Sequence, residues 1–480
     1  MKTRAIILLF TILGVVVGSA GAAFGGEYLQ MAGLIDTRTT FSDGAMSVEA
    51  QADLAHGRGF DALFITDHDI LAMAYGLPPF RHVFQVKKQK NALRISGPEA
   101  YLTAIAAAQH KYPDLLLVPG SESVPYYYWS GSYFSGDLTA NDHEKRLLAI
   151  GLTAPSDYED MPVIHNRMST RYLKARLPFI LIFSGALLLG VYIATWGGWY
   201  RWAGLGVGAV ALLMIINTNP FASAPYDQYM GNQGIAPYQY YIDYVSARGG
   251  MTFWNYPETR SGVRAYGPIQ LNTPSYPEVL LQARDYTGFA AVYGDTITVT
   301  EPGRQWDQVL AQYCRGTRSR PVWGIATADF HEDGGAGERL GNYPTVFLVR
   351  EKTRAELLSA MRAGRMYAVQ GSYPQRLVLD DFSVTGSGGG PHGTLGEDIA
   401  VQGSPQIQIA LSLKQPGAGT VSVTVIRDGT VVETLSGPLP LAAAITDEAC
   451  PRGEKTYYRL MANGHGAGVV VANPVFVTVR

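Results

Sequence analysis

The sequence predicts an α/β domain on mostly parallel strands, split by a helical membrane hairpin and followed by an all-β module. Three observations carry this. Short apolar strand-like runs alternate with helical ones through the first part of the chain. A charge-free stretch, LPFILIFSGALLLGVYIATWGGWY (177–200), interrupts them and is long enough to span a bilayer. From about Tyr373 the texture turns to strands, several with period-two alternation.

The elements follow in order. The first apolar segment lies behind Lys2 and Arg4, runs from Ile6 to Ala23 and ends in small residues, so 1–26 reads as a secretory signal or an uncleaved anchor. Ser47 to Gly59 predicts a helix with Val48, Ala52 and Ala55 at helical spacing and Ser47 as N-cap. Ala50 stands where a full capping box needs an acid or Gln. The strand ALFIT (62–66) follows, then a helix from Pro98 to Lys111 and the buried strand LLLVPGSE (115–122). The hairpin takes 177–217, and its second arm, WAGLGVGAVALLMIIN (202–217), is shorter and rich in glycine. Trp196, Trp199, Tyr200 and Trp202 gather between the arms, as aromatics do at a membrane interface. A pair of buried core helices is the alternative reading.

Helix-like and strand-like runs resume at Tyr276–Asp285, VWGIATA (322–328) and TRAELLSAMRAG (353–364). The α/β domain is therefore expected over 27–176 and 218–372, and a sandwich-like β module over 373–480. Within that module Asp428-Gly429 signals a hairpin turn and GSGGG (386–390) a loop.

The chain has 480 residues, enough for two or three domains with their own cores. A net charge of -2 leaves no basic footprint, so no nucleic-acid partner is expected. Cys314 and Cys450 match no zinc or redox spacing and read as free buried thiols, with a disulfide as the alternative in an exported protein. A hairpin returns the chain to the side it left, so 24–176 and 218–480 share one face of the membrane. Lys2 and Arg4 put the N-terminus inside and both halves outside the cytoplasmic membrane. The basic cluster Arg167, Arg171, Lys174 and Arg176 argues the other way, and the first segment is expected to dominate.

Metal chemistry needs carboxylates and imidazoles converging from the ends of several strands. Four strand ends supply such groups: Asp36, Arg38 and Asp43 in IDTRTTFSDG, Asp67, His68 and Asp69 after FIT, Glu122 after LLLVPGS, and Asp329 and His331 after GIATA. The one-residue gap in the last pair points both side chains to one face of an extended segment. Any one of these alone is commonly a cap or a solvated loop acid.

TTFSDG, then a helix and FDALFITDHD, then PGSE, then GIATADFH, in this order, resembles the PHP (polymerase and histidinol phosphatase) family, nearest the carbaryl-hydrolase-like metallohydrolases with a C-terminal β domain. TRAELLSAMRAGRMYAVQGS resembles the end of that domain, so the likeness covers most of 28–372. The resemblance implies a distorted (β/α)7 barrel with up to three metal ions at its strand C-termini, used to hydrolyse phosphoesters and related esters. It implies His68 as the motif histidine, Glu122 as the bridging glutamate, Asp329 and His331 as the closing pair, and Asp43 within the SDG.

Three departures reduce that site. Asp36-Thr37-Arg38 stands in place of H-x-H; aspartate can ligate a hard cation, but arginine has no acceptor. FWNYPE (253–258) carries Asn255 and Tyr256 where the family has histidine before proline, leaving Asn255 as a weak carbonyl donor. RLLAIGL (146–152) has no histidine in register, with His143 nearby. The expectation is one divalent ion (Mn, Zn or Mg) rather than three, with ligands drawn from Asp36, Asp43, His68, Glu122, Asn255, Asp329 and His331. Arg38 and Asp67 join the catalytic set, Arg38 filling the space of a lost cation or clamping a phosphate. The expected partners are the membrane and a small ester or phosphoester. A catalytically silent relative that binds a ligand or partner at the membrane is the alternative. His56, His110, His165, His392 and His465 read as surface or packing residues, and the Tyr-rich run 224–244 as an interface segment.

Overall fold

The computed structural model describes residues 28–166, 169–259, 262–295, 297–335 and 339–480. The expected signal or anchor over 1–26 lies outside the described residues.

In chain order the elements that build the site are β1 (Leu29–Thr37), α1 (Val48–Gly57), β2 (Ala62–Ile65), α2 (Pro98–Lys111), β3 (Leu116–Ser123) and β4 (Arg146–Ile150). After the two long helices α3 (Leu173–Ala194) and α4 (Gly198–Asn217) come α5 (Ala236–Ala247), β5 (Met251–Asn255), β6 (Gly288–Val292), α6 (Gln305–Cys314) and β7 (Trp323–Ala326). Then follow β8 (Pro344–Val349), α7 (Arg354–Ala363) and β9 (Met366–Gln370). Helices α1, α2 and α7 form where the sequence predicts them, whereas the Tyr-rich run expected to be an interface segment supplies α5, whose Tyr238 and Tyr241 are buried in the core, and α6 has no counterpart in the sequence reading. Ser47 caps α1 by accepting from the Ala50 amide, and Thr353 caps α7 by accepting from Glu356. Of the expected 276–285 run only Val279–Gln282 is helical.

The strands lie in the order β7-β6-β5-β4-β3-β2-β1-β8-β9. β1, β2 and β3 run parallel, as do β5, β6 and β7, while β4 is antiparallel to both of its neighbours. β2 and β5 are buried throughout, as strands covered on both faces must be. The sheet curls until the segment after β7 returns to β1: Ala328 N donates to Ile35 O at 3.1 Å, and Arg38 N to Phe330 O at 2.8 Å. Strand ends far apart in sequence therefore face one another across the mouth of the curl.

α3 and α4 form an antiparallel pair, and in their most apolar windows only 6% and 17% of residues are buried. Both helices are long and apolar enough to cross a membrane. α4 begins at Gly198 rather than 202, which gives the second arm 20 residues. The contact between them is made by small residues. A Cβ on Gly204 would lie 2.4 Å from both Ala194 N and Gly190 O, so glycine is required for the backbones to approach this closely.

The C-terminal strands form two sheets. Leu377–Gly386, Pro405–Leu413 and Leu441–Thr446 pair in one. Thr420–Arg427, Lys455–Asn463 and Val469–Ala472 pair in the other, with Asp428 and Gly429 both at positive φ in the predicted hairpin turn. That second sheet is continuous with the α/β sheet, because Val469–Ala472 pairs antiparallel with β9. Cys314 and Cys450 are both free and half-buried.

Candidate functional site

The apolar strands β1, β2, β3, β5 and β7 end in or lead into polar residues at one rim of the curled sheet. Three of those residues, Asp36 (φ 72), Tyr256 (φ 47) and Asp329 (φ 47), adopt left-handed backbone, which re-aims each side chain toward the centre. The antiparallel strand β4 adds Arg146 at the same rim, since its first residue pairs with Asn255 at the end of β5.

Arg38 occupies the middle. Its side chain is fully buried and donates to Asp36, to Glu122 Oε2 at 2.7 Å, to Asp329 Oδ1 at 3.1 Å and to the Thr66 carbonyl at 3.0 Å. Arg146 adds a second guanidinium contact to Glu122 Oε2 at 2.9 Å. Asn255 Nδ2 donates to Asp36 Oδ2 at 2.9 Å and to Glu122 Oε1 at 2.6 Å, and the Tyr256 hydroxyl donates to Asp36. Burial pushes the Asp36 carboxyl up, but Arg38 and the donors Tyr256 and Asn255 outweigh it and hold the group below the ordinary aspartate value. Burial, with Arg38 and Arg146 nearby, drives His68 well below the usual imidazole range, so it stays neutral.

This donor pattern decides where an ion fits. Every carboxylate oxygen of Asp36 and Glu122 already accepts from a guanidinium, an amide or a hydroxyl, and two fixed guanidinium charges repel a divalent cation. The residues at this inner position do not fit a metal. Asn255 turns its amide nitrogen to the carboxylates, and its Oδ1 has no hydrogen-bond partner.

At the outer rim the donors differ. Asp43 Oδ1 lies 3.6 Å from His68 Nε2 and 3.9 Å from His331 Nε2. His331 Nδ1 donates to the Asp329 carbonyl at 2.8 Å, and His68 Nδ1 faces Glu122 Oε2 at 3.3 Å. No group of three or more His, Cys, Asp or Glu among the described residues stands at ligating separations. Ligand atoms about a tetrahedral ion are ~3.3 Å apart, so Asp43 would have to move closer to both imidazoles to share an ion with them.

The other expected residues lie as follows. Asp67 is buried and accepts from Thr39 N at 2.8 Å, from the Thr39 hydroxyl at 2.7 Å and from Ser42 Oγ at 2.6 Å, so it braces the turn after β1 that carries Asp43. His143 turns to Glu144 and Thr273 instead of the site. A cavity of about 480 Å³ opens above the cluster, lined by Arg146, Tyr256, Tyr293, Asp329, Arg339 and Tyr343. The roles of Arg146 and Tyr256 are the principal additions to the sequence reading. Arg146 opens the histidine-free run RLLAIGL, and only the reversed direction of β4 brings it to the rim.

No family model matches the chain. No curated protein matches it either. Among solved structures it is similar to a two-domain protein from Bacteroides vulgatus containing a predicted PHP-like metal-dependent phosphoesterase, at 10% identity over 90% of this chain and 91% of that one, TM-score 0.35. It is also similar to a Bifidobacterium adolescentis protein provisionally described as a metal-dependent phosphoesterase, at 14% identity over 68% of this chain and 96% of that one, TM-score 0.31. An amidohydrolase from Chromobacterium violaceum with bound sulfate and no metal matches at 14% identity over 63% of this chain and 88% of that one, TM-score 0.29. Likeness at these levels assigns no residue and no activity to this chain.

Proposed function

We propose that this chain is a membrane-tethered, PHP-like hydrolase of phosphoesters or related esters, working with one divalent ion held by Asp43, His68 and His331. The observation that carries this reading is the convergence of Asp43 Oδ1 with His68 Nε2 at 3.6 Å and His331 Nε2 at 3.9 Å. With Nδ1 of one ring donating to the Asp329 carbonyl and that of the other facing Glu122, the Nε2 atoms of both rings are turned toward the Asp43 carboxylate. Two imidazoles with one carboxylate suit a divalent ion and leave coordination positions open for water and substrate.

When bound, the ion supplies Lewis acidity and a water of lowered pKa. The chain's own residues do the rest. Arg146, with 21% of its side chain exposed, and Arg339 border the cavity and can receive the anionic part of an ester. Arg38 takes the place of the inner cations and holds Asp36, Glu122 and Asp329 in one arrangement. Asp67 positions the turn bearing Asp43. In this reading residues 27–176 and 218–372 form a distorted (β/α)7 barrel, 177–217 cross the membrane twice, and 373–480 form the appended β domain. The soluble parts lie outside the cytoplasmic membrane, which a reporter fused at the C-terminus tests directly.

The deciding experiment is the metal content per chain of the detergent-purified protein beside an Asp43→Ala, His331→Ala double variant, followed by a phosphoester screen. Near-stoichiometric Mn or Zn in the parent, lost in the variant, supports the hydrolase. No uptake in either after incubation with Mn2+ and Zn2+ overturns it. The second reading, a silent relative that binds an anionic ligand, is favoured by the full pairing of Asp36 and Glu122 with Arg38, Arg146 and Asn255.

A further inference from the structure

A second cavity, of about 670 Å³, lies away from the candidate site and is lined mainly by apolar and aromatic side chains. One wall is the antiparallel pair Ala72–Gly76 and Gln85–Gln89, and the opposite wall includes Tyr266 and Ile269 of the pair Gly262–Tyr266 and Ile269–Thr273. Trp129 and Leu138 also line it. The volume lies within the range of small-molecule sites, roughly 300–1,000 Å³.

Its rim is unusually greasy for a surface in water. Leu77 is 49% exposed, Phe84 53% and Val86 78%, and all three line the cavity. The loop joining the first pair is bonded to the end of α4. Asn217 Oδ1 accepts from His82 N at 3.0 Å, and Asn217 Nδ2 donates to the Pro79 carbonyl at 3.1 Å. The exposed apolar edge is thereby tied to the point where the apolar helix ends. Val86 and Lys88 alternate with an intervening residue on one strand and so share a face. The Lys88 ammonium sits 4.4 Å above the Tyr266 ring, at the cavity wall, and Lys90, two residues further on, is exposed.

We propose that this cavity takes the acyl chain of an anionic membrane phospholipid, with the headgroup against Lys88 and Lys90. An apolar tail matches the lining, a phosphate-bearing head matches the lysines, and the bonds to Asn217 supply the route from the bilayer. The inference rests on the membrane reading of α3 and α4 and is independent of hydrolysis.

The test uses the full chain reconstituted into vesicles of phosphatidylcholine, with and without phosphatidylglycerol carrying a diazirine in its acyl chain. Flotation of the protein with the vesicles is scored separately from photo-crosslinking. The expected result is crosslinks at Leu77, Phe84 or Tyr266, dependent on phosphatidylglycerol, lost in Val86→Glu and weakened in Lys88→Gln, with unchanged thermal melts. Val86 is 78% exposed, so its substitution leaves the core intact. Flotation without crosslinks in the cavity overturns the lipid site while the membrane reading stands. Crosslinks unaffected by Val86→Glu, or capture of residues 1–27 of the same chain in the cavity, also overturn it. A chain that neither floats nor crosslinks overturns both.

Discussion

Arg38 and Glu122, 84 residues apart in sequence, meet at 2.7 Å with both side chains fully buried. The pair exists because β1 and β3 flank β2 in one parallel run, which brings their polar ends to the same rim. It makes the inner site an ion-pair network in place of a metal centre, and several expectations follow from that substitution of charge.

Removing the guanidinium leaves Asp36 and Glu122 buried without their main counter-charge. Arg38→Met is expected to destabilise the protein by about 3–5 kcal/mol, read as a lower denaturation midpoint. Arg38→His is expected to lose less and to recover stability on addition of Mn2+ or Zn2+, because imidazole can ligate where guanidinium cannot. No metal-dependent recovery would show that position 38 does not face a cation-accepting space.

Asp69 carries the pH prediction. Burial pushes its carboxyl up to about 7, against hydrogen bonds from Ser123 Oγ at 2.7 Å and the Ile70 amide at 2.6 Å. A raised folded-state value means the folded chain holds its proton longer than the unfolded one. The stability contribution is thus fully present below the unfolded value near ~4 and is lost as pH rises toward about 7. Asp69→Asn is expected to flatten that decline. Denaturant melts in chelator at about pH 5 and about pH 8 check it: the variant should gain on the parent at the higher pH, and equal slopes would refute the assignment.

The helix hairpin makes a positional prediction. Gly204→Leu drives a side chain into the α3 backbone, whereas Gly206 has nothing within 4 Å of its added Cβ. The first substitution should cost about 1–3 kcal/mol or separate the helices, and Gly206→Leu should be tolerated. Comparing the yield of folded, monodisperse protein for the two variants decides it.

The α/β and β parts are joined by a buried ion pair. Arg459 donates to Asp307 on α6 with both Nε and Nη2 at 2.6 Å, and the Tyr457 hydroxyl adds a bond to Asp307 Oδ1 at 2.7 Å. Arg459→Met should cost about 3–5 kcal/mol, and adding Asp307→Leu should restore part of it, since an apolar pair strands no charge. A double variant no better than the single one, by thermal melt, would contradict this.

Much of this protein is legible one residue at a time. The alternation of apolar runs with helical spacing, the charge-free stretch 177–200 and the Asp428-Gly429 turn are local signals, because hydrophobic period and turn chemistry act over a few residues. The placement of Asp36, His68, Glu122 and Asp329 at strand ends was visible for the same reason. What tertiary structure decided is the use made of those groups. Arg146 reaches Glu122 only because β4 runs against its neighbours, and strand direction depends on the whole sheet. Asn255 presents its amide nitrogen and Tyr256 its hydroxyl to Asp36 because their carboxylate partner lies on another strand, 219 and 220 residues away. The pairing of β9 with Val469–Ala472, which runs the two sheets together, is likewise set by long-range register. Sequence thus named the chemical groups at the rim, and the packing of distant strands determined which of them neutralise one another.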